Sequence, residues 1–119
     1  MSLIKECPSS PNCVSTMTKQ SQKKMNPISY SQSCASVNEK IINLLNQFPR
    51  AKLIQRTETY LHYTFKSQIF GFVDDVEFFI DDIQHLVHFR SASRTGYSDF
   101  GANKKRMNQL SLLLIKNLN

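Results

Sequence analysis

A chain of 119 residues fits a single domain, since domains most often run about 100–150 residues. Apolar residues make up 40% of it, with eight Phe and four Tyr, which suffices for one core; three Gly and four Pro exclude a collagen-like or Pro/Gly-rich disordered chain. The formal charge of +6 is unevenly spread: residues 1–30 hold four Lys and one Glu, residues 31–99 seven basic and eight acidic groups, and residues 100–119 four basic groups and no acid. Nucleic-acid binders concentrate basic groups on one face with aromatics interleaved for stacking. Lys104, Lys105 and Arg106 are adjacent on a helix and lack such company, so no nucleic-acid partner is expected. The basic ends read as solvated surface, with contact to a membrane surface left open. No run of 18 apolar residues exists to form a transmembrane helix. Met1 to Cys13 hold no signal-peptide core, so the expectation is cytoplasmic, or exported if a leader has been trimmed.

In chain order, residues 1–35 read as an irregular Cys/Pro/Ser-rich leader, either a flexible arm or a strap docked on a domain of residues 36–119. A helix is expected over 36–48. Ser36 and Glu39 form a capping box, Val37, Ile41, Leu44, Leu45 and Phe48 recur on one face, and Pro49 ends it. Strands follow at 52–57 and 61–66, the second with Leu61, Tyr63 and Phe65 alternating against His62, Thr64 and Lys66. A third apolar run, Ile69 to Val73, is interrupted by Gly71 and leads into the strand Asp74–Ile80. Asp81-Asp82 reads as a tight turn and Ile83 to Arg90 as the returning strand. A last helix runs from Ser98 or Asp99 to Asn117, with Met107, Leu110, Leu113 and Leu114 on its core face. The fold class is therefore α+β: an antiparallel sheet of about four strands packed by an N-terminal and a C-terminal helix in a two-layer sandwich.

The polar residues gather near the end of the last hairpin. If Ile80 faces Ile83, then Val76 faces Val87 and Asp74 faces Phe89 on the apolar side, and His85 also falls there as a core or rim histidine. Asp75, Glu77, His88 and Arg90 fall on the opposite side, with His88 opposite Asp75. The segment Arg90 to Gly101 then packs two Arg, three Ser and two Gly before a helix start. A helix N-terminus flanked by arginines can hold a phosphate or carboxylate. The candidate ligand-binding set is Arg90, Ser91, Ser93, Arg94, Ser98, Asp99, Asn103 and Arg106, with Asp74, Asp75 and Glu77 as acidic partners. The competing reading is internal: Arg90 and Arg94 clamp Asp74, Asp75 or Asp99 and lock the loop onto the sheet. No nucleophile elbow and no phosphate-cradling loop is present, and no catalytic residue is assigned.

Cys7 and Cys13 bracket Cys-Pro-Ser-Ser-Pro-Asn-Cys, and Cys34 stands apart. A Cys7–Cys13 disulfide is sterically reasonable, and free thiols are the other reading. A metal would need a further ligand from Cys34 or a histidine; no metal and no cofactor are expected.

Three stretches resemble the domain-of-unknown-function family 1499. Cys7-Pro8-Ser9-Ser10-Pro11-Asn12-Cys13-Val14-Ser15 resembles its opening motif, and Asp74-Asp75-Val76-Glu77-Phe78 is similar to its acidic strand. Arg90 to Arg94, Gly96, Ser98-Asp99, Gly101, Asn103 and Arg106 look like its long signature. The resemblance implies no particular activity, and it marks the polar cluster and the Cys loop as the parts to test. The functional expectation is a non-enzymatic binding or interaction module whose Arg/Ser/Asp site takes an anionic small molecule or a protein partner. The alternatives are an enzyme using Asp75, Glu77 and His88 for acid–base work, or a structural accessory protein.

Overall fold

The computed structural model describes residues 4–68 and 70–119. In chain order the elements are β1 (Cys13–Ser15), a short 3-10 turn (Ser21–Lys23), β2 (Ile28–Ser29), α1 (Cys34–Leu45), β3 (Ala51–Arg56), β4 (Tyr60–Lys66), β5 (Val73–Asp81), β6 (Leu86–Ser93) and α2 (Ala102–Leu118). The sheet is antiparallel in the order β1-β6-β5-β4-β3, with β2 also on β6. The fold is α+β. It has six strands rather than about four, because residues 13–15 and 28–29 add two short strands along the outer edge of β6.

Alternation along the strands decides the faces. Leu61, Tyr63 and Phe65 of β4, Val76, Phe78 and Ile80 of β5, and Val87 and Phe89 of β6 are buried in one cluster with Val37, Ile41 and Leu45 of α1 and Met107, Leu110 and Leu114 of α2. The opposite face is not bare: Cys7 and Cys13 form a second small cluster with Ala92 of β6. Among the described residues no helix is long and apolar enough to cross a membrane.

Several boundaries differ from the sequence expectation. Helix α1 starts two residues earlier because Ser33, not Ser36, caps it: the Ser33 Oγ accepts the Ser36 N–H at 3.1 Å. Glu39 does not close a capping box and instead meets Arg56 Nη2 at 2.8 Å. The regular helix ends at Leu45, and i→i+3 bonds from Gln47 and Phe48 tighten the last turn before Pro49.

The β5–β6 hairpin is longer than a two-residue turn. Asp81 pairs with Leu86, and Ile80 faces Val87 rather than Ile83. The Asp81 carboxylate accepts the N–H groups of Ile83 and Gln84, both at 3.1 Å, and holds a four-residue loop. This leaves His85 exposed in the loop at φ 57°, edge-on to Tyr30, not on the sheet's apolar side. The register is thus shifted by an even number of residues, so the residues that remain in the paired strands keep their faces while every cross-strand partner changes, and Ile83 and His85 leave the sheet for the loop. Of the third apolar run, Ile69 lies outside the described residues; Phe70 to Phe72 form a loop, and β5 starts at Val73.

Candidate functional site

Asp74 falls on the apolar face of β5, where a carboxylate needs a partner. Helix α2 supplies it, because Asn103, Arg106, Met107 and Leu110 recur at helical spacing on the side turned to the sheet. Arg106 Nη2 donates to Asp74 Oδ2 at 2.8 Å, and Nη1 donates to Ser91 Oγ at 3.2 Å and Asn103 Oδ1 at 3.0 Å. The guanidinium also lies 4.7 Å over the Phe65 ring. Ser91 and Asn103 are fully buried and joined by a 2.6 Å bond. Asn103 Nδ2 donates onward to Asp99 Oδ2 (2.6 Å) and Ser93 Oγ (3.0 Å), while Asn12 Nδ2 donates to the Gly96 carbonyl at 2.8 Å.

Helix α2 does not start at Ser98 or Asp99. Its cap is Gly101, at φ 80°, where glycine avoids the steric cost of the left-handed region. The Asp99 carboxylate folds back to accept the N–H groups of Gly101 (2.8 Å) and Asn103 (3.0 Å). Burial pushes that carboxyl up, but these bonds and the Asn103 side chain outweigh it and hold Asp99 below the usual carboxylate range. The place expected for a ligand anion at the helix start is therefore filled by the chain's own carboxylate.

Arg90 and Arg94 lie on the other face of the sheet. Arg94 makes a fork to Asp75, Nε to Oδ2 and Nη2 to Oδ1, both at 2.9 Å, and His62 Nε2 meets Asp75 Oδ1 at 2.7 Å. The Arg94 guanidinium holds the Asp75 carboxyl below its ordinary value, burial opposing and His62 assisting. Arg90 Nη1 stands 3.7 Å from Glu77 Oε1, and the Tyr60 phenol donates to Glu77 Oε2. Burial and the Glu77 carboxylate push the Tyr60 hydroxyl up. The expected pairing of His88 with Asp75 does not form: Asp75 faces Ala92, and His88 faces Phe79. His88 Nδ1 shares a hydrogen bond with Thr16 Oγ1 at 2.9 Å, and burial lowers its pKa, with Asp81 opposing.

The cysteines separate in the same manner. Cys7 and Cys13 are joined, S–S 2.02 Å. The bridge packs on Ala92, and its loop is fastened by Lys23 Nζ, which donates to the Pro8 carbonyl, and by Gln20 Nε2, which donates to the Cys7 carbonyl at 2.9 Å. Cys34 is free at the head of α1; its thiol donates to the Glu58 carbonyl at 3.4 Å, and burial, Asp82 and Glu58 push its pKa up.

The sequence-predicted set is thus divided. Ser91, Asn103, Arg106 and Asp74 close an internal network under α2; Arg90, Arg94, Asp75 and Glu77 pair on the opposite face; Ser98 is exposed and accepts the Phe100 N–H. What sequence reasoning did not find is a cleft of about 560 Å³ between the β4–β5 and β6–α2 loops. Phe65, Phe72 and Phe100 give it apolar walls, Arg50 and Lys66 stand at its edge, and Arg106, Ser93 and Asp99 reach it from the network. The two loops are tied at their base by the Arg94 N–H, which donates to the Val73 carbonyl at 3.0 Å. Arg50 and Lys66 have no carboxylate within 4 Å among the described residues, unlike Arg56, Arg90, Arg94 and Arg106.

The network from Asn12 through Asp74 and Ser91 to Arg106 joins the three stretches singled out in the sequence, and a family model covers all of them. It is that of the protein of unknown function (DUF1499), and it matches residues 3–114. The chain belongs to this family. No curated protein and no solved structure matches the chain. For this DUF1499 member, the signature residues Asn103, Arg106, Ser91 and Asp99 are bonded chiefly to one another, and the cleft lies at their outer edge.

Proposed function

We propose that the protein is a non-enzymatic binding module, and that it holds its ligand in the cleft between the β4–β5 and β6–α2 loops. The observation that carries this is the pairing of an apolar lining, the buried Phe65 with the exposed Phe72 and Phe100, with two cations, Arg50 and Lys66, that lack an acidic partner among the described residues. A cavity of this size and lining suits a small molecule with an apolar body and few charged groups. Its anionic group meets Arg50 and Lys66, not Arg90 and Arg94, whose charges are already answered by Glu77 and Asp75. Arg106 and Asp99 shape the cleft wall while serving the internal network.

Thermal shift against carboxylates and phosphates bearing aliphatic or aromatic bodies tests the reading. A ligand at 100 times its dissociation constant adds about 2.7 kcal/mol to stability. The stabilisation is expected to disappear in Arg50→Ala/Lys66→Ala and to persist in Arg94→Ala. The reverse pattern, or no stabilisation by any member of the panel, refutes it.

A further inference from the structure

Two loops at the cleft end of the sheet hold large rings in water. Phe70, Phe72, Tyr97 and Phe100 are between 59% and 97% exposed. Single exposed apolar side chains are ordinary, but a group of them marks an interaction surface. Two of these rings pack on each other. Phe70 and Phe72 stack with centroids 5.4 Å apart across Gly71, whose φ of 67° turns the chain between them. Phe100 sits at φ 53°, a region that bulky residues avoid.

The charges around these rings are of one sign where they are free. Arg50, Lys52 and Lys66 line the adjoining surface, and Lys104 lies beside Tyr97. None of these four has a carboxylate within 4 Å among the described residues. The acids of this end are engaged: Asp74 with Arg106, Asp75 with Arg94 and His62, Asp99 with Asn103 and the start of α2.

We propose that this end of the domain docks on an anionic lipid bilayer. Phe70, Phe72, Tyr97 and Phe100 enter the interfacial layer, while Arg50, Lys52, Lys66 and Lys104 face the headgroup phosphates. Aromatic rings favour the headgroup level, long basic side chains bury their stems and keep their charges in water, and free cations are drawn to an anionic leaflet. Apolar insertion and electrostatic attraction together give stable surface binding where either alone is marginal. The surface extends beyond the cleft and does not require an occupied one, because Phe70 and Tyr97 are not cleft walls.

Vesicle co-sedimentation of the full chain tests this, with phosphatidylcholine alone and with phosphatidylcholine mixed with phosphatidylglycerol. Binding is expected only to the mixed vesicles, and it should weaken when salt rises from about 0.1 M to about 1 M, as the Debye length falls from about 10 Å to about 3 Å. Phe70→Ser/Tyr97→Ser should lower the vesicle affinity about tenfold or more without changing the melting temperature. Lys52→Glu/Lys66→Glu should abolish binding. Equal binding to both vesicle types, no binding, or an affinity indifferent to Phe70→Ser/Tyr97→Ser overturns the proposal. So does a concentration-dependent dimer that replaces vesicle binding and is lost in the same double variant. Cleft occupancy, read in vesicle-free solution with Phe70 and Tyr97 substituted, stays intact if only the membrane proposal fails.

Discussion

Replacing Arg106 by Ala removes the central donor of the network under α2. Asp74 then keeps its place on the apolar face, 13% exposed, without the guanidinium that is itself 19% exposed. Truncating one partner of a buried ion pair costs about 3–5 kcal/mol, and the residual exposure of both groups places this pair at the low end, about 3 kcal/mol. The lost stacking on Phe65 and the bonds to Ser91 and Asn103 act in the same direction. At about 2.1 cal/mol/K per residue, unfolding entropy is about 0.25 kcal/mol/K for this chain, so Arg106→Ala should melt about 12 °C lower. Calorimetry or chemical denaturation reads the change directly. Asp74→Asn combined with Arg106→Met, which removes both charges, should recover part of the loss. The exposed Arg94 serves as the contrast, and Arg94→Ala should hardly shift the transition. A stable Arg106→Ala protein, or an Arg94→Ala protein that unfolds, would refute the assignment of the clamp to the α2 side.

Reduction of the Cys7–Cys13 bridge should cost about 2.4 kcal/mol by the loop-entropy estimate, or about 10 °C of melting temperature, read as a drop on adding reductant that Cys7→Ala/Cys13→Ala abolishes. Because burial lowers the folded pKa of His88, its contribution is complete above the unfolded value of about 6.5 and is lost as pH falls through the folded value. Stability measured against pH should therefore decline below about 6.5, and His88→Gln should flatten that decline. Asp75, also lowered, contributes fully above about 3.9 and loses its contribution as pH falls through its folded value. Arg94→Ala should narrow that second window. Phe100→Asn relieves a left-handed aromatic and should raise stability by about 1 kcal/mol, measurable by denaturation.

Local signals carried much of the fold. The stripe Val37, Ile41 and Leu45 marked α1, and the alternation from Leu61 to Phe65 marked β4 with its correct buried side. The hairpin register failed because an Asp-Asp pair suggested a two-residue turn, whereas Asp81 uses its carboxylate to hold a longer one. Extending β6 to Ser93 would have separated the site residues: parity puts Ser91 and Ser93 toward α2, and Arg90 and Arg94 away from it. Misplacing the strand end kept them together. At the helix start Asp99, one of the two capping residues expected there, turns its carboxylate onto the Gly101 and Asn103 N–H groups, although the helix itself begins after Gly101. The cleft has no local signature. Arg50, Lys66, Phe72 and Phe100 come from four segments, and only the tertiary fold brings them to one cavity.

The most direct test of the cleft as the binding site is amide chemical-shift mapping by NMR during titration with decanoate, with decanol as the uncharged control. The expected result is saturable shifts in residues 64–73 and 95–102, stronger for decanoate than decanol and lost in Arg50→Ala/Lys66→Ala. Shifts centred on Arg90, Arg94 and His62 across the sheet, or shifts of equal size with both compounds, would contradict it.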